Sequence, residues 1–254
     1  MARSSGVTRL FLLALPLLAS ATGCGLFYLP GAPGAPGEFP ETNLLAYYRL
    51  DETTGSVLND ATGQHAGTNY GATTDSAGVL GTSYSFSGDA STSFTYSDLY
   101  FGAGTYAGLS IQAWVNTTDT DGGIVTSRNG FNGTLVGLMI GSGNGSPSFF
   151  VSGQESISGT TSINDGQWHH LVGVFDGATG TKSLYVDGVP VSGSTSLATI
   201  NPLTDFYLGW DADNNIEPTR YLIGRIDEVG IWSRALTAAE VTTLYNNGAG
   251  IAYQ

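Results

Sequence analysis

Leu109-Ser110-Ile111-Gln112-Ala113-Trp114-Val115-Asn116 decides the fold class. In an extended chain Leu109, Ile111, Ala113 and Val115 share one face, while Ser110, Gln112, Trp114 and Asn116 share the other. This alternation predicts a strand with one buried face, as antiparallel sheets have. Tyr185-Val186-Asp187-Gly188-Val189-Pro190-Val191 extends the reading, because Asp-Gly between two apolar runs is the strongest short hairpin signal. Outward from these, apolar segments bounded by Gly, Asn, Asp and Ser predict further strands at Leu45–Leu50, Ser83–Ser87, Gly123–Ser127, Leu135–Ile140 and Ser148–Val151. Trp168–Phe175, Ser183–Val186, Val189–Ser192, Phe206–Gly209 and Leu222–Trp232 complete the series. A helix is expected only at the end. There Thr237-Ala238-Ala239-Glu240 spells a capping box, Val241, Leu244 and Tyr245 share a face, and Gly248 stops the turn. The expected class is all-β, a two-sheet antiparallel sandwich with one short C-terminal helix.

The chain has 254 residues, 41% hydrophobic, which is enough apolar material for a packed core. Eight Lys and Arg stand against 21 Asp and Glu, a formal charge of −13. That balance argues against a nucleic-acid partner, since phosphate contacts need clustered basic residues. A single cysteine excludes a disulfide framework and a Cys-rich zinc site.

Residues 1–23 read as an export signal: Arg3 and Arg9, the apolar run Leu10–Ala19, then small residues. The run is shorter than the roughly 20 residues that cross a bilayer. Ala21-Thr22-Gly23-Cys24 resembles the lipobox of bacterial lipoproteins, with Ala21 where Leu or Val is usual. The resemblance implies that Cys24 is lipidated, so that the chain meets the membrane through its lipid anchor only. Each buried acyl methylene would add ~0.8 kcal/mol to that attachment. Gly25, rather than Asp, after the cysteine implies the outer membrane of the cell envelope. Residues 24–42 contain two Gly-Ala-Pro repeats and read as a tether, ~3.1 Å per residue if extended, leading to a domain over residues 43–254.

Seven blocks follow one another in order. They are Leu50-Asp51-Glu52 with Gly55 and Asp60, then Tyr84-Ser85-Phe86-Ser87-Gly88, then Leu109–Val115, then Asp165-Gly166-Gln167-Trp168-His169-His170-Leu171. Ser183-Leu184-Tyr185-Val186-Asp187-Gly188, Gly224-Arg225-Ile226-Asp227-Glu228-Val229, and Ser233-Arg234-Ala235-Leu236-Thr237 with Glu240 and Tyr245 come after. The succession resembles the LamG-like (laminin G-like) jellyroll domain of the concanavalin A-like lectin/glucanase superfamily, over roughly Asn43 to Gln254. The resemblance implies a jellyroll of two curved antiparallel sheets, often with a structural calcium, and in many members a disulfide that this chain cannot form. Carried onto matching positions, the calcium ligands are Asp51, the turn around Gly88, and Asp227, with Asp89 as a further contributor. Calcium takes six to eight oxygens and accepts backbone carbonyls among them.

Catalysis has little support. Glucanases of the superfamily carry Glu-x-Asp-x-x-Glu or Glu-x-Asp-x-Glu on one strand, and this chain has no such run. Asp227 and Glu228 are adjacent, so on a strand they point to opposite faces rather than forming the ~5–5.5 Å pair of a retaining glycosidase. His169 and His170 are adjacent too, which prevents joint chelation of one ion. They read as structural, and His65 as a loop residue. No Gly-x-Ser-x-Gly elbow is present. The expectation is therefore a protein that is not an enzyme.

Trp210-Asp211-Ala212-Asp213-Asn214-Asn215-Ile216-Glu217 places many oxygens beside an indole. An EF-hand is rejected, because Ile216 stands where the loop glycine belongs. Sugar recognition pairs an aromatic face with a few directed polar groups, so Trp210, Asp211, Asp213 and Asn215 are the candidate ligand loop. Trp114 is a second, weaker platform. The sequence is read as a non-catalytic envelope lipoprotein whose domain binds carbohydrate or an extracellular protein. Two alternatives stay open: a structural or adhesive envelope protein without a small ligand, and a divergent polysaccharide hydrolase or lyase.

Overall fold

A computed structural model describes residues 37–89, 95–97, 99, 107–128, 134–141, 143–151, 156–195, 205–211 and 220–254. The strands in chain order are β1 (Leu44–Tyr48), β2 (Val57–Leu58), β3 (Gly67–Asn69), β4 (Thr73–Ala77), β5 (Thr82–Ser87), β6 (Thr95–Ser97), β7 (Gly108–Thr117) and β8 (Gly122–Arg128). Then come β9 (Thr134–Ile140), β10 (Pro147–Val151), β11 (Ile157–Ser158), β12 (Trp168–Asp176), β13 (Thr181–Val186), β14 (Val189–Thr195), β15 (Asp205–Leu208) and β16 (Ile223–Trp232). One sheet runs β14-β13-β12-β7-β16-β5-β4, with β1 also paired to β16. The other runs β11-β10-β9-β8-β15-β6-β3-β2. Neighbours in both are antiparallel, as in the jellyroll sandwich expected.

Between the sheets lies the main core. Leu109, Ile111, Ala113 and Val115 of β7 meet Val125, Leu138, Phe149, Phe206 and Leu208 from the opposite sheet, all essentially buried. Gly173 of β12 makes room for the Phe149 ring, since a Cβ there would lie 2.3 Å from Phe149 Cδ2. The hairpin also forms as read. Asp187 and Gly188 take φ of +52° and +76°, the two positive values a type I′ turn requires, and Val186 pairs with Val189.

The polar face of β7 differs from the one-sided strand expected, because it is buried as well. The chain after β16 folds back over it. Helix α1 (Ala238–Tyr245) and its flanks build a second core from Val172, Val174, Trp232, Leu236, Val241 and Leu244. Trp114, read as a weaker platform, is consequently 2% exposed and stacks on Tyr245, with centroids 5.8 Å apart. Thr237 and Glu240 form the capping box, and Arg234 holds Glu240 at 2.6 Å. The helix stops at Asn246, which adopts the left-handed conformation two residues before Gly248.

The packed chain begins earlier than the tether boundary at residue 42. Phe39 joins the second core, stacking on Trp232 with centroids 6.1 Å apart, and Pro40 O accepts the Trp232 indole N–H at 2.7 Å. Arg234 Nε donates to Thr42 O at 2.8 Å. The expected export signal, Cys24 and the first part of the expected tether lie outside the described residues.

Candidate functional site

Tyr207 faces outward on β15 because its neighbours Phe206 and Leu208 enter the core. It stands directly across from Tyr96 of β6, the ring centroids 5.4 Å apart. Beyond β15 the chain turns at Gly209, whose φ is +77° and whose hydrogen faces the Phe86 ring; a Cβ would lie 2.2 Å from Phe86 Cδ1. That turn brings Trp210 edge-on to Tyr207 at 4.9 Å. Tyr221 then stacks on Trp210 at 5.7 Å and 8°, held by a bridge between the two residues. Tyr96, Tyr207, Trp210 and Tyr221 thus form one half-buried aromatic run along the outer face of the second sheet.

Polar groups border the run. The Tyr96 hydroxyl donates to Asp205 Oδ1 at 3.0 Å. Arg220 ion-pairs with Asp211, which is 2% exposed, and reaches Asp121 Oδ1 at 3.2 Å. Burial raises the Asp121 carboxyl above its usual range, with Arg220 partly offsetting it. Asp211 therefore positions Arg220 rather than facing a ligand, which corrects its place in the expected loop. Asp213 and Asn215 lie outside the described residues. The sequence singles out Trp210 but not Tyr96, Tyr207 or Tyr221. The alternation of Asp205 and Tyr207 with Phe206 and Leu208 was the available signal for Tyr207, whereas Tyr96 sits in a strand too short to show a period.

A second cluster forms where β1 and β5 meet end to end along one edge of β16. The β16–β7 ladder slips between Asp227 and Gly230, and Glu228 takes φ of +51°. This bulge turns both acidic side chains into the protein. Asp227 Oδ2 accepts the N–H groups of Val79 at 2.7 Å and Leu80 at 3.1 Å, while Asp51 Oδ1 accepts that of Thr82 at 2.8 Å. The turn supplying these donors needs its glycines, since a Cβ at Gly78 would lie 2.5 Å from Asp227 Oδ2. Tyr47 donates its hydroxyl to Glu228 Oε2. Burial pushes the Asp227 carboxyl up to about 7, against the pull of the Leu80 and Val79 N–H groups. Burial likewise pushes Glu228 up to about 8, with Tyr47 opposing and Asp227 and Asp51 adding to the rise.

Asp51 and Asp227 fit part of a calcium donor set. Both offer hard oxygens, and Asp227 Oδ1 is buried without a hydrogen-bond partner. Among the described residues no three His, Cys, Asp or Glu side chains gather as metal ligands, so carbonyls would have to complete the shell. Gly88 and Asp89 are placed elsewhere. They follow the far end of β5, a strand length of ~20 Å from the turn that meets Asp227. The glycine turn beside the acidic pair is Gly78–Gly81 instead.

The histidines are structural in their contacts. His169 bridges Asp187 at 2.9 Å and Asp165 at 3.2 Å; its hydrogen bond to Asp187 leads in holding its pKa up. His170 is fully buried against Trp114 and Gln112, and burial pushes it down to about 3.

A family model described as the concanavalin A-like lectin/glucanases superfamily matches residues 86–242, more than half of the chain. The chain belongs to that superfamily. C-reactive protein of Oryctolagus cuniculus is 31% identical to this concanavalin A-like chain over 106 residues, which is 40% of the chain and 47% of that protein. The chain spans less than half the length of the curated relatives it matches. Trypanosoma rangeli sialidase in complex with sialic acid superposes with a TM-score of 0.61 at 17% identity, over 86% of this chain and 36% of that one. Domain 4 of AbnA, a GH43 extracellular arabinanase from Geobacillus stearothermophilus, in complex with arabinotriose, gives 0.57 at 23% identity, over 79% of this chain and 97% of that one. At these identities the structural likeness is one of fold.

Proposed function

We propose that the protein is a non-catalytic, lipid-anchored envelope protein whose concanavalin A-like domain binds carbohydrate. The observation that carries the reading is the run Tyr96–Tyr207–Trp210–Tyr221, bordered by Asp205 and Arg220. Sugar rings present C–H faces to aromatic rings and hydroxyls to directed polar groups, and this surface supplies both. The arabinotriose complex of the AbnA domain supports the same class of ligand for this architecture.

Asp227 and Glu228 support the non-catalytic half of the reading. Both carboxylates are at most 1% exposed and are held by their own chain, so a glycosidic bond does not reach them. A calcium ion at Asp51 and Asp227 would stiffen the junction of β1, β5 and β16 rather than touch the ligand. Lipidation of Cys24 would hold the chain at the cell envelope, with the outer membrane as its address.

Incubating the protein with a panel of neutral polysaccharides tests the reading in one preparation. Retention without release of reducing ends supports it; reducing-sugar release would make the protein a hydrolase. A Cys24→Ala chain should lose incorporation of labelled palmitate, and retained label would remove the anchor.

A further inference from the structure

His169 stands at the start of β12, and the two nitrogens of its ring face carboxylates from different parts of the chain. Nδ1 lies 2.9 Å from Asp187 Oδ2, in the turn between β13 and β14. Nε2 lies 3.2 Å from Asp165 Oδ1, in the segment that leads from β11 into β12. An ionised carboxylate only accepts hydrogen bonds, and a neutral imidazole has a single N–H to donate. The two contacts together therefore require the imidazolium. The other groups around the ring carry no charge to compete: β7 presents Val115 across the ladder, His170 turns to the opposite face against Gln112, and Tyr245 of α1 packs behind the turn against Gly188.

The two ends are unequal. Asp187 is fixed twice over, since its Oδ1 accepts the His170 N–H at 2.9 Å and its backbone, at φ of +52°, forms the hairpin turn. The Asp165 side chain is 57% exposed, against 32% for Asp187, and its Oδ1 also accepts the Gln167 N–H at 2.8 Å. When the ring loses a proton, the remaining N–H stays with Asp187, because the bond one nitrogen makes sets the tautomer. The Nε2 lone pair then faces the Asp165 oxygen, and that carboxylate turns to water.

Asp165 sits between two fixed points of its segment. Ile163 is buried in the main core and donates its N–H to Gly145 O at 2.9 Å. Gly166 donates its N–H to Thr117 O at 2.9 Å, and its carbonyl accepts from Asn116 Nδ2 at 2.6 Å. We propose that His169 is a proton-dependent clasp, tying the β11–β12 segment to the β13–β14 hairpin when doubly protonated and freeing the Asp165 end when neutral. The hydrogen bond from Asp187 raises the His169 pKa above its ordinary 6.5, against the opposing effect of burial. The clasp therefore stabilises the folded chain fully below pH 6.5, and that contribution is lost as pH rises through the folded value.

Imidazole 15N NMR of the full protein between about pH 5 and about pH 9 tests the clasp, with Asp165→Asn and Asp187→Asn beside the native chain. Both variants keep an accepting oxygen, and Asn-Gly suits the same type I′ turn, so the fold should survive. In the native protein His169 should titrate above 6.5 and pass from the doubly protonated ring to the Nδ1–H tautomer. The Gln167 amide should shift with the same midpoint. Each variant should lower the midpoint, and Asp165→Asn should also shrink the Gln167 shift. A midpoint at or below 6.5, a neutral ring protonated on Nε2, or an Asp165→Asn chain that titrates as the native one does would each overturn the proposal. The native midpoint and tautomer decide the matter by themselves if a variant fails to fold.

Discussion

Tyr207 and Tyr96 face each other across the β15–β6 ladder with ring centroids 5.4 Å apart, although 110 residues of sequence separate them. The pair exists because each residue points outward between buried neighbours: Phe206 and Leu208 on one strand, Thr95 and Ser97 on the other. Removing the Tyr207 ring should therefore leave the core untouched. Tyr207→Ala is expected to lower stability by about 1–3 kcal/mol, since the half-buried ring meets both Tyr96 and Trp210 and each aromatic pair contributes about 0.5–1.5 kcal/mol. The same change should weaken polysaccharide retention in affinity electrophoresis by about tenfold. Weakened retention matched by a collapse in melting temperature would assign Tyr207 to the scaffold.

Calcium should raise the melting temperature if Asp51 and Asp227 hold it. At a hundredfold excess over the dissociation constant the gain is about 2.7 kcal/mol. Chelator should reverse the rise, and Asp227→Asn should abolish it. Identical melting with calcium and with chelator would remove the ion from this junction.

Gly173 is predicted to tolerate no side chain. Alanine there would drive its Cβ into the Phe149 ring at 2.3 Å, between two well-packed sheets. Chemical denaturation of Gly173→Ala should show a loss of about 1–3 kcal/mol. Phe149→Leu in the same chain should recover part of that loss, because the smaller side chain vacates the space.

His170 gives a defined acid sensitivity. Its folded pKa of about 3 lies below the ordinary 6.5, so between these values the unfolded chain binds the proton and the folded chain does not. The stability contributed by its neutral burial is fully present above pH 6.5. It is lost as pH falls toward 3, at up to ~1.4 kcal/mol per unit. Urea unfolding across this window should show the native protein losing stability faster than His170→Gln. Parallel slopes for the two would contradict the buried, neutral imidazole.

The eleven strands expected from alternation all form, with ends shifted by at most three residues. Five more, β2, β3, β4, β6 and β11, escaped because each is short or built from Gly, Thr, Ser and Asp, so pairing rather than side-chain pattern creates it. The second core was hidden for a different reason. Ser110, Gln112 and Asn116 look solvent-facing in sequence, yet backbone groups far along the chain satisfy them, as when Ser110 Oγ donates to Arg234 O at 2.8 Å. The candidate site was legible only in part. Trp210 stands out in its acidic stretch and Tyr207 lies just before it in the chain, but Tyr96 and Tyr221 come from two other segments that local spacing cannot bring to them. The acidic junction shows the same limit: Asp51 and Asp227 were joined by resemblance, while the glycine turn between them proved to be Gly78–Gly81 and not the one at Gly88.

Quantitative binding of a neutral oligosaccharide panel to the native protein and to Trp210→Ala tests the central claim most directly. The account predicts that the native protein binds at least one member, and that Trp210→Ala binds it about tenfold or more weakly while melting as a folded domain. A panel that stays blank with the native protein, or a Trp210→Ala protein that binds as well as the native one, would contradict the assignment of the aromatic run as a carbohydrate platform.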